Sequence, residues 1–571
     1  MKKPAFRKKS APEAFEPTEA YEAEETGYAP AEPLAAAGPA ARSGGSRPTK
    51  SLLAAVAVLA VVFGIAEVRP PAAPATGEQG AAATVAQVER TAAVCPQPLQ
   101  GLTGSTSLTA YTPPGAGTPT GGAGWLSDAA APATPPTTAP SATPAPTASA
   151  TPAPTGSAAP GKGTDKGAAP ADARLTVAKP GTPVTAPAAN GDTAPGTGAV
   201  ANGALAPGFT VTQTTVVTEQ RGLGMSGLTC TPAGTSFWFA GASTAGDRVD
   251  YLSLVNTESS AAVVDIKLYG DKGLIENDAA NGITVAPGSS QSVLLSTLTK
   301  GAVTDLAVHV VARSGRLGAA LHAADGNKGA DWVPASVEPA PTQVLPGLPA
   351  DTSAARLVVW APPEDDADLK IQLAGKNGWF TPAGNESIHV KAGLVAAVDL
   401  GKITRDEVAG LRLSPSDDKH ATPVVAGLRV DRAGSNGKSD AAWLTGSAPV
   451  GTRATVADNR AGASTLFLTS TGDAASVKVT ASAGTGGGTP VTKEVQVPAG
   501  ATVALPAPEP GGLNGSFALT VETVSGGPVV AARMLAVTTK DVPMFTVQAL
   551  RDDHSSVKVP RAAQDPGVVQ R

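Results

Sequence analysis

A glycine turn that recurs at a near-constant spacing most limits the folds open to this chain. The segment VPAGATVAL at 497–505 has the pattern of a tight turn followed by a strand, and VAPGSSQSV at 285–293 and VKAGLVAAV at 390–398 share it. Their first valines are 105 and 107 residues apart, and matching apolar segments lie before and after each turn. The sequence therefore contains an internal repeat, and a repeat this long is a domain rather than a solenoid unit.

Each copy alternates short apolar stretches with Gly, Pro, Asn and Asp turns, which is typical of short strands. In FALTVETVSGGPVVAARML, residues 517–535, two such stretches are joined at Ser525-Gly526-Gly527. About 100 residues with some seven strands and no strong helical pattern predict an immunoglobulin-like β-sandwich. We therefore expect an all-β chain with three tandem sandwiches. A propeller is less favoured, because three copies of this length do not form a natural ring.

The longest apolar run, LLAAVAVLAVVFGIA at 52–66, predicts a membrane segment. As a helix it covers roughly 22 Å, and flanking residues extend it to a transmembrane helix over 51–68. A cleaved signal peptide is the alternative, with Ala73-Pro74-Ala75 as its cleavage site. The 50 residues before the run favour a retained anchor, a signal-anchor, because a normal signal carries far fewer.

The charges beside this segment predict its orientation. Basic residues lie on its N-terminal side, whereas only Arg69 follows closely and Glu67 opposes it. The positive-inside rule then puts residues 1–50 in the cytoplasm, as a disordered tail, and the remainder outside the cell. The predicted location is the cell membrane, with a single span.

An oxidising location makes a disulfide between Cys95 and Cys230, the only cysteines, the simplest outcome. Two unpaired buried thiols are the alternative. Between them, residues 113–205 form a low-complexity Pro/Ala/Thr insert that cannot build a core. The insert is either a spacer, glycosylated or wall-penetrating, or a tolerated disordered loop within a domain.

Composition and motifs give little support for chemistry. Net charge is −5 and only 16% of residues are charged, so no field attracts nucleic acid. GLGMSG at 222–227 matches a nucleotide-binding pattern but leads into no helix. The acidic stretches EDDAD at 364–368 and DGNKGAD at 325–331 match no complete calcium loop, and we interpret both as solvated turns. We predict no catalytic residue, cofactor or metal, and no enzyme.

Aromatic residues are the remaining candidates for a binding site. Trp238, within Phe237-Trp238-Phe239, and the separate Trp360 and Trp379 are possible ligand contacts. Exposed tryptophans often bind sugars, although strand alternation puts Trp238 opposite to its neighbours, with one side of the strand in a core.

The segments CTPAGTSFWFAG at 230–241 and DRVDYLSLVNTESSAAVVDIKLYGDKG at 247–273 carry a family resemblance. Over about 88–550 the chain resembles uncharacterised extracytoplasmic proteins of high-GC Gram-positive bacteria, a family defined by a domain of unknown function. The resemblance implies one N-terminal span, cysteines on both sides of a variable insert and β-rich repeats. Its members are often encoded near glycosyltransferases, which implies an envelope role, and no catalytic residue follows from it.

These observations predict a membrane-anchored, non-catalytic scaffolding or adhesion protein of the cell envelope. The alternative is a carbohydrate-binding accessory factor in envelope polysaccharide synthesis. Expected partners are the membrane, envelope proteins or cell-wall glycan. The predicted divisions are a tail at 1–50, a helix at 51–68, a stalk at 69–87, sandwiches at 88–340 (interrupted by the insert 113–205), 341–447 and 448–550, and a C-terminal tail at 551–571.

Overall fold

The structure, a computed structural model, describes residues 84–98, 104–115, 121–129, 169–191, 193–218, 222–326 and 328–559. Within these ranges the regular elements are β-strands and four 3-10 helices of at most four residues, so the predicted all-β class is confirmed. The predicted cytoplasmic tail and transmembrane helix, and most of the stalk, lie outside the described residues. Among the residues that are described, no helix is long and apolar enough to span a membrane.

The strands form four successive modules, preceded by strand β1 and followed by strand β38. We name them module 1 (90–229), module 2 (236–333), module 3 (343–445) and module 4 (453–550). Strand β1 is Thr84–Gln87, and module 1 has the strands β2 Arg90–Cys95, β3 Ser105–Tyr111, β4 Gly124–Asp128, β5 Leu175–Val177, β6 Val184–Ala188, β7 Thr197–Asn202, β8 Thr210–Val217 and β9 Gly224–Thr229.

Module 2 has the strands β10 Ser236–Ala242, β11 Arg248–Asn256, β12 Ala262–Gly270, β13 Gly273–Ile275, β14 Ile283–Val285, β15 Ser289–Leu294, β16 Leu306–Ser314, β17 Gly318–Asp325 and β18 Ala330–Val333, and module 3 has β19 Gln343–Leu348, β20 Thr352–Trp360, β21 Ala367–Gly375, β22 Gly378–Phe380, β23 Ser387–Val390, β24 Val395–Asp399, β25 Ala409–Pro415, β26 Val425–Ala433 and β27 Ser439–Thr445.

Module 4 has the strands β28 Arg453–Asn459, β29 Ser464–Ser470, β30 Ala475–Gly484, β31 Gly487–Thr489, β32 Val491–Val497, β33 Thr502–Pro506, β34 Gly511–Asn514, β35 Phe517–Gly526, β36 Val529–Thr539 and β37 Val542–Leu550, and the last strand is β38 Ser556–Val559. The 3-10 helices are Gly203–Leu205, Asp278–Ala280, Leu295–Leu298 and Ser435–Gly437.

Each module consists of two antiparallel sheets around one apolar cluster. Module 2 has the order β10-β16-β12-β13 in one sheet, with β14 also paired to β12, and β15-β11-β17-β18 in the other. Alternate side chains of β12, such as Ile266 and Leu268, are buried in the cluster, whereas Lys267 between them faces solvent. This period-two burial is the pattern expected of a strand with one buried face. Modules 1, 3 and 4 repeat the plan, with β2-β7-β4-β5 against β6-β3-β8-β9, β19-β25-β21-β22 against β24-β20-β26-β27, and β28-β35-β30-β31-β34 against β33-β29-β36-β37.

The recurring glycine turn passes the chain from one sheet of a module to the other. In module 2 it connects β14 to β15, and the equivalent turns connect β23 to β24 and β32 to β33. Gly288, Gly393 and Gly500 have φ values of +59°, +74° and +64° in these turns. Because side chains are disfavoured at positive φ, glycine recurs at this position.

The structure divides the N-terminal part of the chain differently from the sequence prediction. The range 88–340 contains two modules rather than one sandwich, and strands β4 to β7 lie inside the predicted insert 113–205. These strands are short and rich in Ala, Thr and Gly, as in TGAVAN of β7, so their composition resembles that of the low-complexity sequence around them. Between β4 and β5, residues 130–168 lie outside the described part.

The modules contact one another head to tail, mainly through the first strand of each. Trp238 and Ala240 of β10 pack with Val358 and Trp360 of module 3. Leu345 and Leu348 of β19 pack with Phe467 and Phe545 of module 4. The first strand of one module therefore meets the strands of the next.

The same contact joins module 4 back to module 1. Ala457 of β28 packs with Tyr111 of β3, and its amide donates to the Thr212 hydroxyl at 3.2 Å. Module 1 in turn meets module 2, where Val94 of β2 packs with Val255. Four head-to-tail contacts that return to their start make a closed ring.

The two ends of this region also meet. Strand β1 pairs with β38 in antiparallel register, from Thr84 opposite Val559 to Gln87 opposite Ser556. The residues predicted as the end of a stalk and part of a C-terminal tail therefore form a two-stranded ribbon.

Candidate functional site

The last strands of the four modules, β9, β18, β27 and β37, meet at the centre of the ring, and we call this region the axis. The Ser226 hydroxyl of β9 donates to the carbonyl of Ala330 in β18 at 3.1 Å. The Thr546 hydroxyl of β37 donates to the carbonyl of Gly227 at 3.2 Å. Polar contacts thus join these strands, beside an apolar cluster that includes Met225 and Met544.

One carboxylate, that of Asp440 in module 3, binds backbone of all four modules. It accepts the amides of Met225 at 3.2 Å, Phe545 at 2.9 Å and Ala441 at 2.9 Å. The amide of Ala330 in module 2 also donates to it. Asp440 has no exposed surface. Its side chain is therefore a central tie between strands that belong to different modules.

A second carboxylate, that of Asp331, makes a similar set of contacts. It accepts the amides of Gly227 at 2.9 Å and Trp332 at 2.8 Å, and it also contacts the Thr546 hydroxyl. Asp331 is 1% exposed. The sequence interpretation of DGNKGAD as a solvated turn was therefore wrong for Asp331, because β18 packs against β9 and excludes water there. It was also wrong for Asp325, which ends β17, is 7% exposed and forms an ion pair with Arg429.

Glycine lets these strands approach closely. A Cβ atom on Gly227 would lie 2.2 Å from the side-chain nitrogen of Gln548, and one on Gly329 would lie 2.3 Å from the amide of Ala441. Both distances are shorter than a carbon atom allows, so neither position has room for a side chain.

Burial dominates the ionisation of the axis. It raises the pKa of Asp440 to about 8, against the hydrogen bonds that favour the charged form. Burial also raises the pKa of Asp331, and the nearby charge of Asp440 adds to this effect. Neither carboxyl has a surface that a substrate could reach. The pair therefore has the character of a structural centre.

His322 lies beside the axis, with its Nε2 atom 3.2 Å from the Ser226 hydroxyl. Burial lowers the pKa of His322 to about 3, and the positive charge of Arg248 contributes. Since Ser226 donates its hydroxyl proton to Ala330, the neutral imidazole donates to Ser226.

A cavity of about 470 Å³ lies where modules 1, 2 and 4 meet the C-terminal segment. Its inner wall is mainly apolar and includes Val94, Phe239 and Trp332, while residues 551–554 line it from the C-terminal side. The volume is within the range of roughly 300–1,000 Å³ that is usual for small-molecule sites. This cavity is the candidate binding site of the described region, and sequence reasoning missed it because its lining comes from ten separate strands.

The two cysteines are joined by a disulfide, Cys95 to Cys230, with their Cα atoms 4.6 Å apart. Cys95 ends β2 and Cys230 follows β9, so the bond connects the beginning of module 1 to its end. Both cysteines belong to the apolar cluster of this module.

Two of the predicted ligand-contact tryptophans lie together in a module contact. The ring centroids of Trp238 and Trp360 are 4.4 Å apart, and Trp238 also stacks on His309 at 3.7 Å. Their exposed fractions are 5% and 4%. They hold module 2 against module 3, and neither offers a face to a sugar.

The third, Trp379, lies apart from the other two and is half-buried. The guanidinium of Arg412 lies 4.0 Å from its ring centroid. A Cβ atom on Gly500, in the recurring turn of module 4, would lie 2.5 Å from the Trp379 ring. The ring is thus wedged between Arg412 and the glycine turn of the next module.

Residues 364–366 of the other acidic stretch lie in an exposed turn before β21, and Asp368, within β21, bonds the Nδ1 atom of His389 at 2.8 Å. Within the described residues, no group of three or more His, Cys, Asp or Glu side chains could hold a metal ion.

The fold and site define a class: an all-β protein of four two-sheet modules closed around a buried polar axis. Residues 184–508 match the family of unknown function DUF5719. The match covers more than half of the chain and runs from β6 to just beyond β33, so the protein belongs to this family. Neither a curated protein nor a solved structure matches the chain.

Proposed function

We propose that this protein is a non-catalytic scaffolding or adhesion protein of the cell envelope, anchored in the membrane through residues 51–68. The closed ring carries the proposal. Its centre is filled by buried hydrogen bonds to Asp440 and Asp331, so the four modules hold their surfaces in fixed relative positions. A rigid platform of this kind is better suited to holding partners than to catalytic turnover.

The disulfide supports an extracytoplasmic location for the ring. Disulfides persist in oxidising compartments and are rare where thiols are kept reduced. The bond between Cys95 and Cys230 lies in the core of module 1, where two reduced thiols would leave the module without its covalent link. We further propose that the modules are immunoglobulin-like β-sandwiches, since each packs two antiparallel sheets over one core.

The carbohydrate-binding alternative needs exposed aromatic side chains. Trp238 and Trp360 are buried in a module contact, and Trp379 is wedged beneath Arg412. Scaffolding is therefore the function that we prefer.

Labelling of one introduced cysteine in intact cells tests the location, since Cys95 and Cys230 are joined to each other. The variant Lys493→Cys introduces a cysteine at an exposed position of β32, and Ser10→Cys introduces one in the predicted cytoplasmic tail. A membrane-impermeant maleimide should label the cysteine at 493 in intact cells and the cysteine at 10 only after lysis. If intact cells label only the cysteine introduced at position 10, the topology is the reverse of the proposed one and the proposal is wrong.

Co-sedimentation and crosslinking test the scaffolding role. The full-length protein should crosslink to envelope proteins in cells through a photoreactive residue at position 493, whereas binding to purified walls should not depend on their secondary polysaccharide. Sedimentation that is lost on walls stripped of that polysaccharide would favour glycan recognition instead.

A further inference from the structure

The cavity between modules 1, 2 and 4 has an accessible wall that is mostly apolar. Leu228, Ala320, Pro334 and Ala549 line it and are half-buried, so each keeps surface that the protein does not cover. Val557 of β38 also lines the cavity and is 48% exposed. Because removing apolar surface from water is favourable, this wall favours a ligand with an apolar body.

Charged and titratable side chains line the same cavity, and its carboxylates are engaged within the protein. These side chains are Arg90, Arg551, Asp552, Asp553 and His554. Asp553 is paired with Arg453. Asp552 accepts the amides of Thr452 at 2.8 Å and His554 at 2.7 Å, and the Nδ1 atom of His554 lies 3.4 Å from it. Both carboxylates therefore have their donors inside the protein.

Arg551 has no carboxylate partner among the described residues. It donates to the carbonyl of Ala335 in module 2, which uses one of the five N–H donors of a guanidinium. Water reaches Arg551, yet the surrounding protein lowers its pKa by desolvation. Access to water together with desolvation is what a recess provides, so the remaining donors of Arg551 are available within the cavity.

Arg90 adds a second positive charge to the lining. It begins β2, is exposed, and its side chain forms neither an ion pair nor a hydrogen bond with the described residues. Arg90 belongs to module 1 and Arg551 follows module 4, so the ring brings these two guanidinium groups to one cavity. Guanidinium groups match the geometry of carboxylate and phosphate groups, and charge-assisted bonds to such anions are strong.

We propose that this cavity binds an amphiphile with an apolar chain and an anionic headgroup, a carboxylate or a phosphate. The chain lies along Leu228, Ala320 and Ala549, and the guanidinium groups of Arg551 and Arg90 bind the headgroup. The volume of about 470 Å³ is that of a small-molecule site. This site adds a ligand to the proposed scaffold and does not depend on the envelope role.

Photolabelling of the full-length protein in phosphatidylcholine nanodiscs tests the proposal, with a decanoate that carries a diazirine in its chain as the probe. Labelling should saturate, and peptide mass spectrometry should find the label in peptides that contain Leu228, Ala320 or Ala549. Decanoate and decyl phosphate should displace the probe, and decyltrimethylammonium should displace it at least about tenfold less well. If the chain does not enter nanodiscs, the membrane anchor is wrong, and the same labelling in buffer still tests the site.

Further arms of this experiment identify the source of the ligand. Stronger displacement by decyl phosphate than by decanoate assigns a phosphate headgroup, and the reverse order assigns a carboxylate. Phosphatidylglycerol, added to the nanodiscs, supplies an anionic headgroup within the membrane. Reduced labelling then identifies a membrane lipid as the source, and unchanged labelling identifies a free amphiphile.

Charge-removing variants test the two arginines. Arg551→Gln should weaken probe binding about tenfold and Arg90→Gln about threefold, since each removes charge-assisted bonds to the headgroup. Arg90→Lys keeps the charge and should bind the probe more tightly than Arg90→Gln. Arg316→Gln is the matched control, because Arg316 is exposed and does not line the cavity.

Two cavity-filling variants place the chain of the probe. Ala320→Phe and Ala549→Phe fill the cavity from modules 2 and 4, and each should weaken probe binding by at least about tenfold. Ala324→Phe is the matched control, since Ala324 lies on the same strand and face as Ala320, is also half-buried and does not line the cavity. Thermal unfolding shows which variants are folded.

Several results would overturn the site. Labelling of the unmodified protein that does not saturate, or label found only in peptides away from the cavity, would do so. Equal displacement by decyltrimethylammonium and decanoate, or unchanged binding in both Arg551→Gln and Arg90→Gln, would remove the anionic headgroup from the proposal and contradict it.

Discussion

Modules 1 and 3 share a strand plan but are stabilised by different means. The cluster of module 3 is rich in large aliphatic residues, such as Leu369, Ile371 and Leu373 from the nine-residue β21. The cluster of module 1 is smaller, with 13 buried residues against the 23 that module 3 contributes to its own. It also contains the disulfide. Since stabilisation grows with buried apolar area, the comparison teaches that module 1 needs a covalent link that module 3 does without.

Removal of the disulfide should give the largest effect and bears directly on this comparison. The double variant Cys95→Ser, Cys230→Ser should destabilise module 1 by up to about 5 kcal/mol, because the bond closes a loop of 135 residues. Hydrogen exchange resolved by peptide should show faster exchange in β2 and β3, while peptides of module 3 keep their protection. An equal loss of protection in modules 1 and 3 would mean that the contacts of the ring, rather than the disulfide, determine the stability of module 1.

Truncation of Trp238 should give the next largest effect, at the contact of module 3 with module 2. Trp238→Ala removes a buried ring that stacks on Trp360 and His309, and it should cost about 3 kcal/mol. Trp379→Ala, at a half-buried site, should cost less. Thermal unfolding of both variants checks the order, and an equal cost would contradict the assignment of Trp238 as the structural residue.

A single methyl group tests how closely modules 2 and 3 pack. A Cβ atom on Gly427 would lie 2.1 Å from the carbonyl oxygen of Ala240, so Gly427→Ala should cost about 1–3 kcal/mol. Gly301→Ala is the control, because Gly301 has no heavy atom within 4 Å of its Cβ position. If the two variants unfold at the same temperature, the close approach of β26 to β10 is not present in solution.

The repeat that modules 2 to 4 share could be predicted from the sequence, because their strands alternate strongly and share the glycine turn. Val285, Val390 and Val497 do occupy equivalent positions before it. Module 1 escaped notice because its strands β4 to β7 lie inside the stretch 113–205 that was predicted as an insert, and because they are poor in large apolar residues. Asp331 looked like a turn residue and Asp440 was not singled out at all, since their burial depends on strands more than 100 positions away. No local pattern reports such a contact.

The axis, which all four modules share, should make stability depend on pH. The folded-state pKa of Asp440, about 8, lies above its unfolded value of about 4, so the folded protein retains a proton between these values and loses stability as pH rises through them. The pKa of His322 is about 3 in the folded state and about 6.5 in the unfolded state, so between these values only the unfolded state binds the proton. The protein therefore loses stability as pH falls through this range. Above pH 6.5 the contribution of His322 fades, so the change in stability up to pH 8 reports mainly Asp440.

Denaturant unfolding between pH 6.5 and pH 8 should show stability falling by about 1 kcal/mol per pH unit. Asp440→Asn should flatten the slope, leaving the part due to Asp331, whereas the exposed Asp366→Asn should not change it. A rise in stability with pH would contradict the raised pKa values.

Hydrogen exchange at the amides of Met225 and Phe545 tests the closed ring most directly. Both residues lie on edge strands, and their amides donate to Asp440 of another module rather than to their own sheet. If the ring is closed, both amides should exchange as slowly as those in the module cores, and Asp440→Ala should accelerate both. Rapid exchange of these two amides in the unmodified protein would show free strand edges at the axis and would contradict the ring.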